Sequence, residues 1–447
     1  MRSFRVLTFG CQMNEHDSEK MAGVLAAEGY KKASEGEEPS IILINTCSIR
    51  EKAEQKFYSE LGKLKKLKKE NPNLVIAVSG CIAQQEGNNI LKRAPHVDLI
   101  FGNQNIPELS GLLKSVSPGV AERPRALTEF PDGYEHQSIP AYREGQITAF
   151  VNIMYGCDNF CSYCVVPHVR GREKSRHPDD IIKEIEGLVE RGCREVTLLG
   201  QNVNSYGKGL RGGRDFTGLL KLVDGTDGLK RIRFVTSHPK DLSDSLIDAM
   251  AGLPKVCESI HLPVQSASDG VLAAMNRRYT FASYMEKLTK LKAAMPDIYM
   301  TTDIIVGFPG ETDEEFEQTY RALEEIRYDG IFAFKYSKRP NTAALKLKGH
   351  LPETIKEERL ERVLKLQDAI TEEKHAARVG MVEEVLVEGP DRTGAGGRLS
   401  GRSRGGRIVN FAGGDGLIGT VVSVLVTEGK KHSVMGELFA REDVPAS

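Results

Sequence analysis

The 447-residue chain has almost no net charge: 61 Lys and Arg stand against 62 Asp and Glu, leaving −1 at pH 7. Bulk charge therefore cannot hold a nucleic acid, and any such binding must rest on local patches. No apolar run is long enough to cross a bilayer as a helix. Residues 1–6 run straight into a strand-like segment without the pattern of a signal peptide, so a cytoplasmic location is expected. Tryptophan is absent, which excludes nothing. Cysteine is sparse, at eight residues. In a reducing compartment these point away from disulfides and toward metal or redox chemistry.

A chain of this length predicts two to four domains. Over the first ~110 residues near-continuous apolar strands alternate with helices. Strands are expected at 5–9, 40–45 and 73–79, and helices at 16–28 and 49–70. That alternation predicts a doubly wound parallel sheet. Residues 118–146 mix Pro, Gly and charge without periodicity and read as a linker. Six strand signals follow, at 149–155, 195–199, 231–236, 258–262, 301–306 and 330–336. Helical patterns at 178–190, 242–251, 281–294 and 313–326 separate them. Such βα units predict a partial (β/α)6 barrel, whose chemistry sits at the C-terminal strand ends. A charged helix at 353–377 reads as a solvated connector. Beyond it, glycine-rich strand signals at 381–387, 407–411, 417–426 and 434–438 predict a small antiparallel β-barrel. The expected α/β chain thus has domains at 1–117, 147–375 and 376–441.

Cys157, Cys161 and Cys164 stand at C-x3-C-x2-C spacing just past the first barrel strand. Thiolates are soft ligands, and a short loop can wrap an iron–sulfur cube with them. Three thiolates leave one iron of a four-iron cluster open. The competing readings are a zinc site completed by His168 and three buried thiols. Cys11, Cys47 and Cys81 each follow an expected strand of the first domain. In an open parallel sheet those strand ends share the edge where ligands bind, so a second metal cluster is expected there. Taken singly, each of the three also fits an inert buried thiol. Cys193 and Cys257 lack partners at useful spacing and read as packing residues.

The C-x3-C-x2-C loop, with Tyr163 directly before its last cysteine, resembles the radical S-adenosylmethionine (SAM) superfamily. Together with segments 8–14, 45–51 and 156–172, the whole chain resembles the methylthiotransferases of that superfamily. In these a methylthiotransferase domain, a radical SAM barrel and a small RNA-binding barrel (TRAM) follow in this order. The resemblance implies that Cys157, Cys161 and Cys164 hold a [4Fe–4S] cluster that binds SAM. It implies an auxiliary [4Fe–4S] or [3Fe–4S] cluster on Cys11, Cys47 and Cys81. The implied reaction is methylthiolation of carbon 2 of the N6-isopentenyl-adenosine 3′ of the anticodon in tRNA. That carbon bears an unactivated C–H bond, which no protein base removes as a proton but a 5′-deoxyadenosyl radical breaks. By the same resemblance, one SAM methylates a sulfur of the auxiliary cluster and a second supplies the radical. The implied partners are a tRNA anticodon stem-loop and a flavodoxin-like or ferredoxin-like electron donor. A monomer without membrane association is expected.

Tyr163, Gln201, Ser237, Gln265 and Asp303 lie in the cluster loop or near barrel strand ends. They are candidate contacts to SAM or to the flipped base, with loop packing and capping as the alternative. Arg170 and Arg172, with Lys174 and Arg176, follow the cluster loop and are candidate phosphate contacts. So are Arg398, Arg402, Arg404 and Arg407, in a run (392–407) that otherwise reads as a solvated hairpin. The lysine run 63–69 reads as a solvated helix face. Two rival substrates stay within the family, a threonylcarbamoyl-adenosine tRNA and a ribosomal-protein aspartate. The rival outside it is an RNA-binding iron–sulfur sensor without turnover.

Overall fold

The computed structural model describes residues 2–48, 51–116, 126–130, 139, 141–143, 145–210, 212–391 and 396–439, and for 51–53 the backbone alone. Most of the expected linker, the start of the 49–70 helix and residues 392–395 of the arginine-rich run lie outside the described residues.

The first domain is a parallel sheet of β1 (Ser3–Phe9), β2 (Lys31–Lys32), β3 (Ile41–Thr46), β4 (Val75–Gly80) and β5 (Leu99–Ile100), in the order β2-β1-β3-β4-β5. Every residue of β3 and β4 is buried, because both faces of the sheet are covered. Helices α1 (Gln12–Ala27), α2 (Glu51–Glu70), α3 (Cys81–Glu86), α4 (Asn88–Arg93) and α5 (Leu109–Ser115) supply the cover. Met21 and Leu109 pack with Leu43 in one core, while Phe57 and Leu64 pack with Ile44 and Ile76 in the other. The sheet is thus doubly wound, as its apolar runs predict. Helix α1 begins at Gln12, ahead of the expected start, because Cys11 already occupies its N-cap.

The central domain strings its strands in sequence order. They are β6 (Thr148–Asn152), β7 (Met154–Tyr155), β8 (Lys174–Ser175), β9 (Glu195–Leu199), β10 (Arg231–Phe234), β11 (Ser259–His261), β12 (Tyr299–Val306) and β13 (Gly330–Lys335). The short β7–β8 ribbon is antiparallel and brackets the cysteine loop. The other six strands are parallel, and a bridge between Ile232 and Val256 joins the two three-stranded halves. The connecting helices are α6 (Val166–Arg170), α7 (Pro178–Glu190), α8 (Phe216–Asp224), α9 (Asp244–Gly252), α10 (Asp269–Ala274), α11 (Phe281–Ala294) and α12 (Asp313–Ile326). Strand alternation sends Val196, Leu198, Ile260, Met300 and Ile304 outward into one core with Ile185, Leu219, Leu288 and Phe316. It sends Glu195, Arg233, His261, Asp303 and Phe332 inward.

Helix α13 (Glu353–Ala376) is not a solvated connector. Its Val363, Gln367 and Ile370 are buried, and it covers the outer face of β13. Its Arg359 is buried against Glu311 at 2.6 Å, so part of its charge works inside the fold.

The last domain is a closed barrel of β14 (Val382–Pro390), β15 (Arg398–Ser403), β16 (Ile408–Ala412), β17 (Val421–Gly429) and β18 (Val434–Leu438), in the order β14-β15-β16-β18-β17. Two features differ from expectation. The pairing of β16 with β18 is parallel, so the barrel is not wholly antiparallel. Part of the arginine-rich run is strand β15, whose alternate residues Leu399, Gly401 and Ser403 are buried.

The turn from β15 to β16 is docked under the N-terminal ends of the central strands. Arg231, only 1% exposed, donates to the carbonyls of Arg402 at 2.6 Å and Glu384 at 2.9 Å. Arg233 donates to the carbonyls of Ser403 at 2.7 Å and Arg404 at 2.8 Å. Arg404 pairs with Glu258 at 2.8 Å, and Arg407 with Asp329 at 2.9 Å. Two expected phosphate contacts, Arg404 and Arg407, are therefore docking residues. Inward guanidiniums at strand starts need acceptors, and the turn's carbonyls supply them. Arg231→Leu should leave the Arg402 and Glu384 carbonyls without this donor and lower stability by about 2 kcal/mol. Urea unfolding should show this, with faster proteolysis at the α13–β14 junction.

Candidate active site

Strands β1, β3 and β4 end level with one another, with Phe9 beside Thr46 and Thr46 beside Gly80. The next residues bring Cys11, Cys47 and Cys81 to one sheet edge. The chain there admits no extra atoms: a Cβ on Gly10 would lie 2.6 Å from the Cys47 Cβ. The Asn14 amide donates to Asn45 Oδ1 at 2.9 Å, and the Asn45 amide donates back to the Asn14 carbonyl at 2.7 Å. This pair locks the segments that carry Cys11 and Cys47. Hydrogen bonds with Cys47 lower the Cys11 thiol to about 7 and Cys81 to about 6, with the Arg170 cation contributing to both. Cys47, donating to both neighbours, is pushed far up. Around the triad Thr46, Ser48, Ser79 and Asn103 each keep a buried polar atom without a hydrogen-bond partner among the described residues.

The second triad lies in the loop that the β7–β8 ribbon closes. Gly156 opens it at φ +68, where a Cβ would overlap the Arg172 carbonyl. The Cys157 amide donates to the Gly171 carbonyl at 3.2 Å, and the Cys164 amide to the Cys161 carbonyl at 2.9 Å. The loop is anchored to the segment after α10. The Ser162 amide donates to the Met275 carbonyl at 3.0 Å, and the Asn276 side chain donates to the Phe160 carbonyl at 2.9 Å. Burial pushes the Cys157 thiol up to about 11 and Cys164 to about 12, so metal must displace their protons. The buried Arg277 reaches Cys161 Sγ at 3.4 Å and Tyr163 Oη at 3.5 Å. No spacing ties Arg277 to the cysteines, so sequence reasoning missed it.

The zinc alternative finds no geometry. His168 is exposed on α6. An exposed His168 leaves a zinc ion on the loop cysteines without its fourth protein ligand, whereas a cube takes one thiolate at each of three corners.

The rim of the barrel mouth carries polar groups without partners. Both amide atoms of Gln201, the Ser237 hydroxyl, His238 Nε2 and Gln265 Oε1 are buried and unbonded among the described residues. Thr236 and Gln265 hold φ values of +68 and +69, a conformation that surrounding structure must enforce. Burial lowers His238 to about 2, so its ring is neutral. Tyr163 is half-buried against Val271, Phe308 and Tyr336. Asp303 faces the barrel interior, with His261 Nε2 3.4 Å from its Oδ1.

The two triads are neighbours. Cys81 packs against Val165 and Val169, and Val165 directly follows Cys164. Next to them Arg170 is buried and paired with Asp17 of α1 at 2.8 Å. Arg170 is thus a domain-junction residue and not a phosphate contact, because burial leaves its charge no access to RNA. Arg176 is also internal, donating to the Asn152 carbonyl at 2.6 Å and to Glu184 at 2.7 Å. Arg172 remains 73% exposed beside the loop, in an ion pair with Asp158. Arg398 is exposed, and Arg402 pairs with Glu388 at 3.1 Å.

Comparison with known proteins finds three matching segments. Residues 3–102 match the uncharacterized protein family UPF0004, 151–323 the radical SAM superfamily and 376–439 the TRAM domain. A tRNA-2-methylthio-N(6)-dimethylallyladenosine synthase of Carboxydothermus hydrogenoformans is 48% identical over 98% of this chain and 99% of its own. One from Geobacter metallireducens is 51% identical over 96% of this chain and 97% of its own. Among solved structures, the radical SAM methyltransferase TsrM of Kitasatospora setae superposes with TM-score 0.58 at 12% identity, covering 77% of this chain and 75% of that one. This last likeness is one of fold.

Gly156→Ala should distort the loop at Cys157 and spare the sheet edge. Anaerobic iron loading should fall by about half, with the far-ultraviolet circular dichroism unchanged.

Proposed function

The chain belongs to the family of the tRNA-2-methylthio-N(6)-dimethylallyladenosine synthases, and from that membership we propose how its own residues serve the reaction. It is an enzyme, a radical SAM methylthiotransferase that modifies carbon 2 of N6-isopentenyl-adenosine in tRNA. When bound, a four-iron cluster with one open iron supplies the electron that cleaves SAM, and a second cluster supplies the sulfur.

Cys157, Cys161 and Cys164 hold the SAM-cleaving cluster, and Cys11, Cys47 and Cys81 the auxiliary one, [4Fe–4S] or [3Fe–4S]. The observation that supports this reading is the packing of Cys81 against Val165, the residue next to Cys164, which makes the two triads neighbours. The donor sets fit. Both are all-thiolate, and the Arg170 cation beside Cys11 and Cys81 favours their ionised forms. Arg277 lies 3.4 Å from Cys161 Sγ and would offer positive charge to the carboxylate of SAM beside that cluster. Gln201, Ser237, Gln265 and Tyr163 would be further SAM contacts, and the unpartnered buried atoms of the first three suit a polar ligand. Asp303, deeper in the barrel, serves SAM or the base. The neutral His238 ring takes or gives a hydrogen bond there without adding charge.

The target base lies in a single-stranded loop, so turning it into the barrel costs less than in a duplex. Arg172, Arg398 and Arg402 are the phosphate contacts on this reading. On this reading the enzyme works in the cytoplasm as a monomer, with a flavodoxin-like or ferredoxin-like protein as electron source.

Incubation with SAM, reductant and an isopentenylated anticodon stem-loop should add the mass of one methylthio group to that adenosine. Cys161→Ala should abolish 5′-deoxyadenosine. Cys47→Ala should keep 5′-deoxyadenosine formation, lose one cluster's iron and yield no methylthiolated RNA. Full iron content in Cys47→Ala would refute the auxiliary assignment. Product on a ribosomal protein and none on RNA would transfer the reading to that rival substrate.

A further inference from the structure

We propose that the inner face of β13, Phe332 and Phe334 with Asp303 and His261 beside them, reads the N6-isopentenyl adenine of the substrate; this rests on the tRNA methylthiolation reading above. Strand β13 is the last of a barrel that does not close. Its register sets Phe332 opposite Asp303 and Phe334 opposite Ile305. The neighbours Ile331 and Ala333 pack outward against the core. Phe332 and Phe334 therefore point into the barrel, where they are 50% and 39% exposed. Two exposed phenyl rings in an interior are an unfilled apolar surface, and such surfaces mark ligand sites.

Polar groups frame the rings. His261 meets Phe332 edge to face, with centroids 5.7 Å apart and planes at 77°. Its Nδ1 lies 3.0 Å from Thr301 Oγ1 and its Nε2 3.4 Å from Asp303 Oδ1. The Gln265 amide donates to the Asp303 carbonyl at 2.9 Å, which ties this wall to the mouth and to the unpartnered Gln265 Oε1.

A purine stacks on an aromatic ring whatever its sequence context. The prenyl chain asks for apolar contact and nothing else. Its N6–H is a donor, and Asp303 is an acceptor within the same wall. A threonylcarbamoyl adenosine instead carries a carboxylate, which Asp303 repels, and polar atoms that the phenyl rings leave unpaired. The wall thus selects one modified base by attraction and rejects the other by charge.

Equilibrium binding of stem-loops to the cluster-loaded enzyme without reductant separates recognition from turnover. Three RNAs suffice: isopentenylated, threonylcarbamoylated and unmodified at that adenosine. Phe332→Ala should weaken the isopentenylated RNA on the order of tenfold and change the unmodified one little, so the preference collapses. Phe332→Leu, milder on a strand, should give a smaller loss of the same kind if the alanine variant fails to fold. Asp303→Asn should raise affinity for the threonylcarbamoylated RNA. Unchanged preference in both Phe332 variants and in Phe334→Ala overturns the inference, as does equal weakening of all three RNAs. In parallel, wild-type turnover of the isopentenylated RNA is measured. If it yields no methylthio product, the function reading fails; if it does while the variants keep their preference, only this inference fails.

Discussion

The Asp17–Arg170 pair is the interaction on which the arrangement of the site depends. Both side chains are almost fully removed from water, and each would cost several kcal/mol buried alone. Only their meeting makes the junction tolerable, so α1 of the first domain and α6 of the second must approach each other in one register. That register puts Val169 against Cys81 and fixes the separation of the two cysteine triads. Lys20 repeats the logic one turn further along α1. It donates to Tyr155 Oη at 3.0 Å, and burial lowers its ammonium to about 8. On the opposite rim Arg339, past the end of β13, reaches Glu54 of α2 at 3.7 Å. The first domain is therefore held at both edges of the barrel mouth.

The other end of the barrel is closed by the same kind of chemistry. Arg231, Arg233, Arg404 and Arg407 bind carbonyls and carboxylates between domains. Arginine suits this work because its planar fork meets several acceptors at once and stays charged when buried. The cost falls on RNA binding. A chain with net charge −1 has spent much of its arginine-rich run on its own architecture. Exposed cations such as Arg172, Lys174, Arg278 and Arg398 remain, and recognition adds to them the shape of a folded stem-loop and the flipped base.

Periodicity revealed what depends on backbone repetition. The strand 195–199 and the helices 178–190, 281–294 and 313–326 coincide with β9, α7, α11 and α12, because a fully buried run marks the strand and buried residues three or four apart mark the helices. The level strand ends of the first sheet were legible for the same reason, and with them the meeting of Cys11, Cys47 and Cys81. What was illegible is charge that works across domains. Arg170, Arg404 and Arg407 sit among glycines and cations in sequence, as exposed phosphate ligands do. Their acceptors, Asp17, Glu258 and Asp329, lie far along the chain. Strand β15 was hidden by Gly401, which weakens a strand signal but is needed where the Leu386 carbonyl approaches too closely for any side chain. Arg277 was hidden because its partner is a sulfur from a distant loop.

The incomplete barrel gives these elements a common purpose. A closed barrel fills its interior with side chains; six strands leave an interior open between β13 and β6. The cysteine loop packs at the ends of β12 and β13 through Tyr163, the inner face of those strands carries Phe332 and Asp303, and the first domain lies at the mouth with its own cysteines at the sheet edge. Hydrogen abstraction and sulfur transfer must act on one carbon, so both reagents have to reach it without the base being released between steps. Positioning of this kind supplies rate by holding reacting atoms near contact distance. A base gripped on the inner face of β13, with the sheet edge of the first domain fixed by Asp17 and Arg170, can meet that demand without a moving part. The strict register of the domain junction is then a requirement of the chemistry as much as of stability.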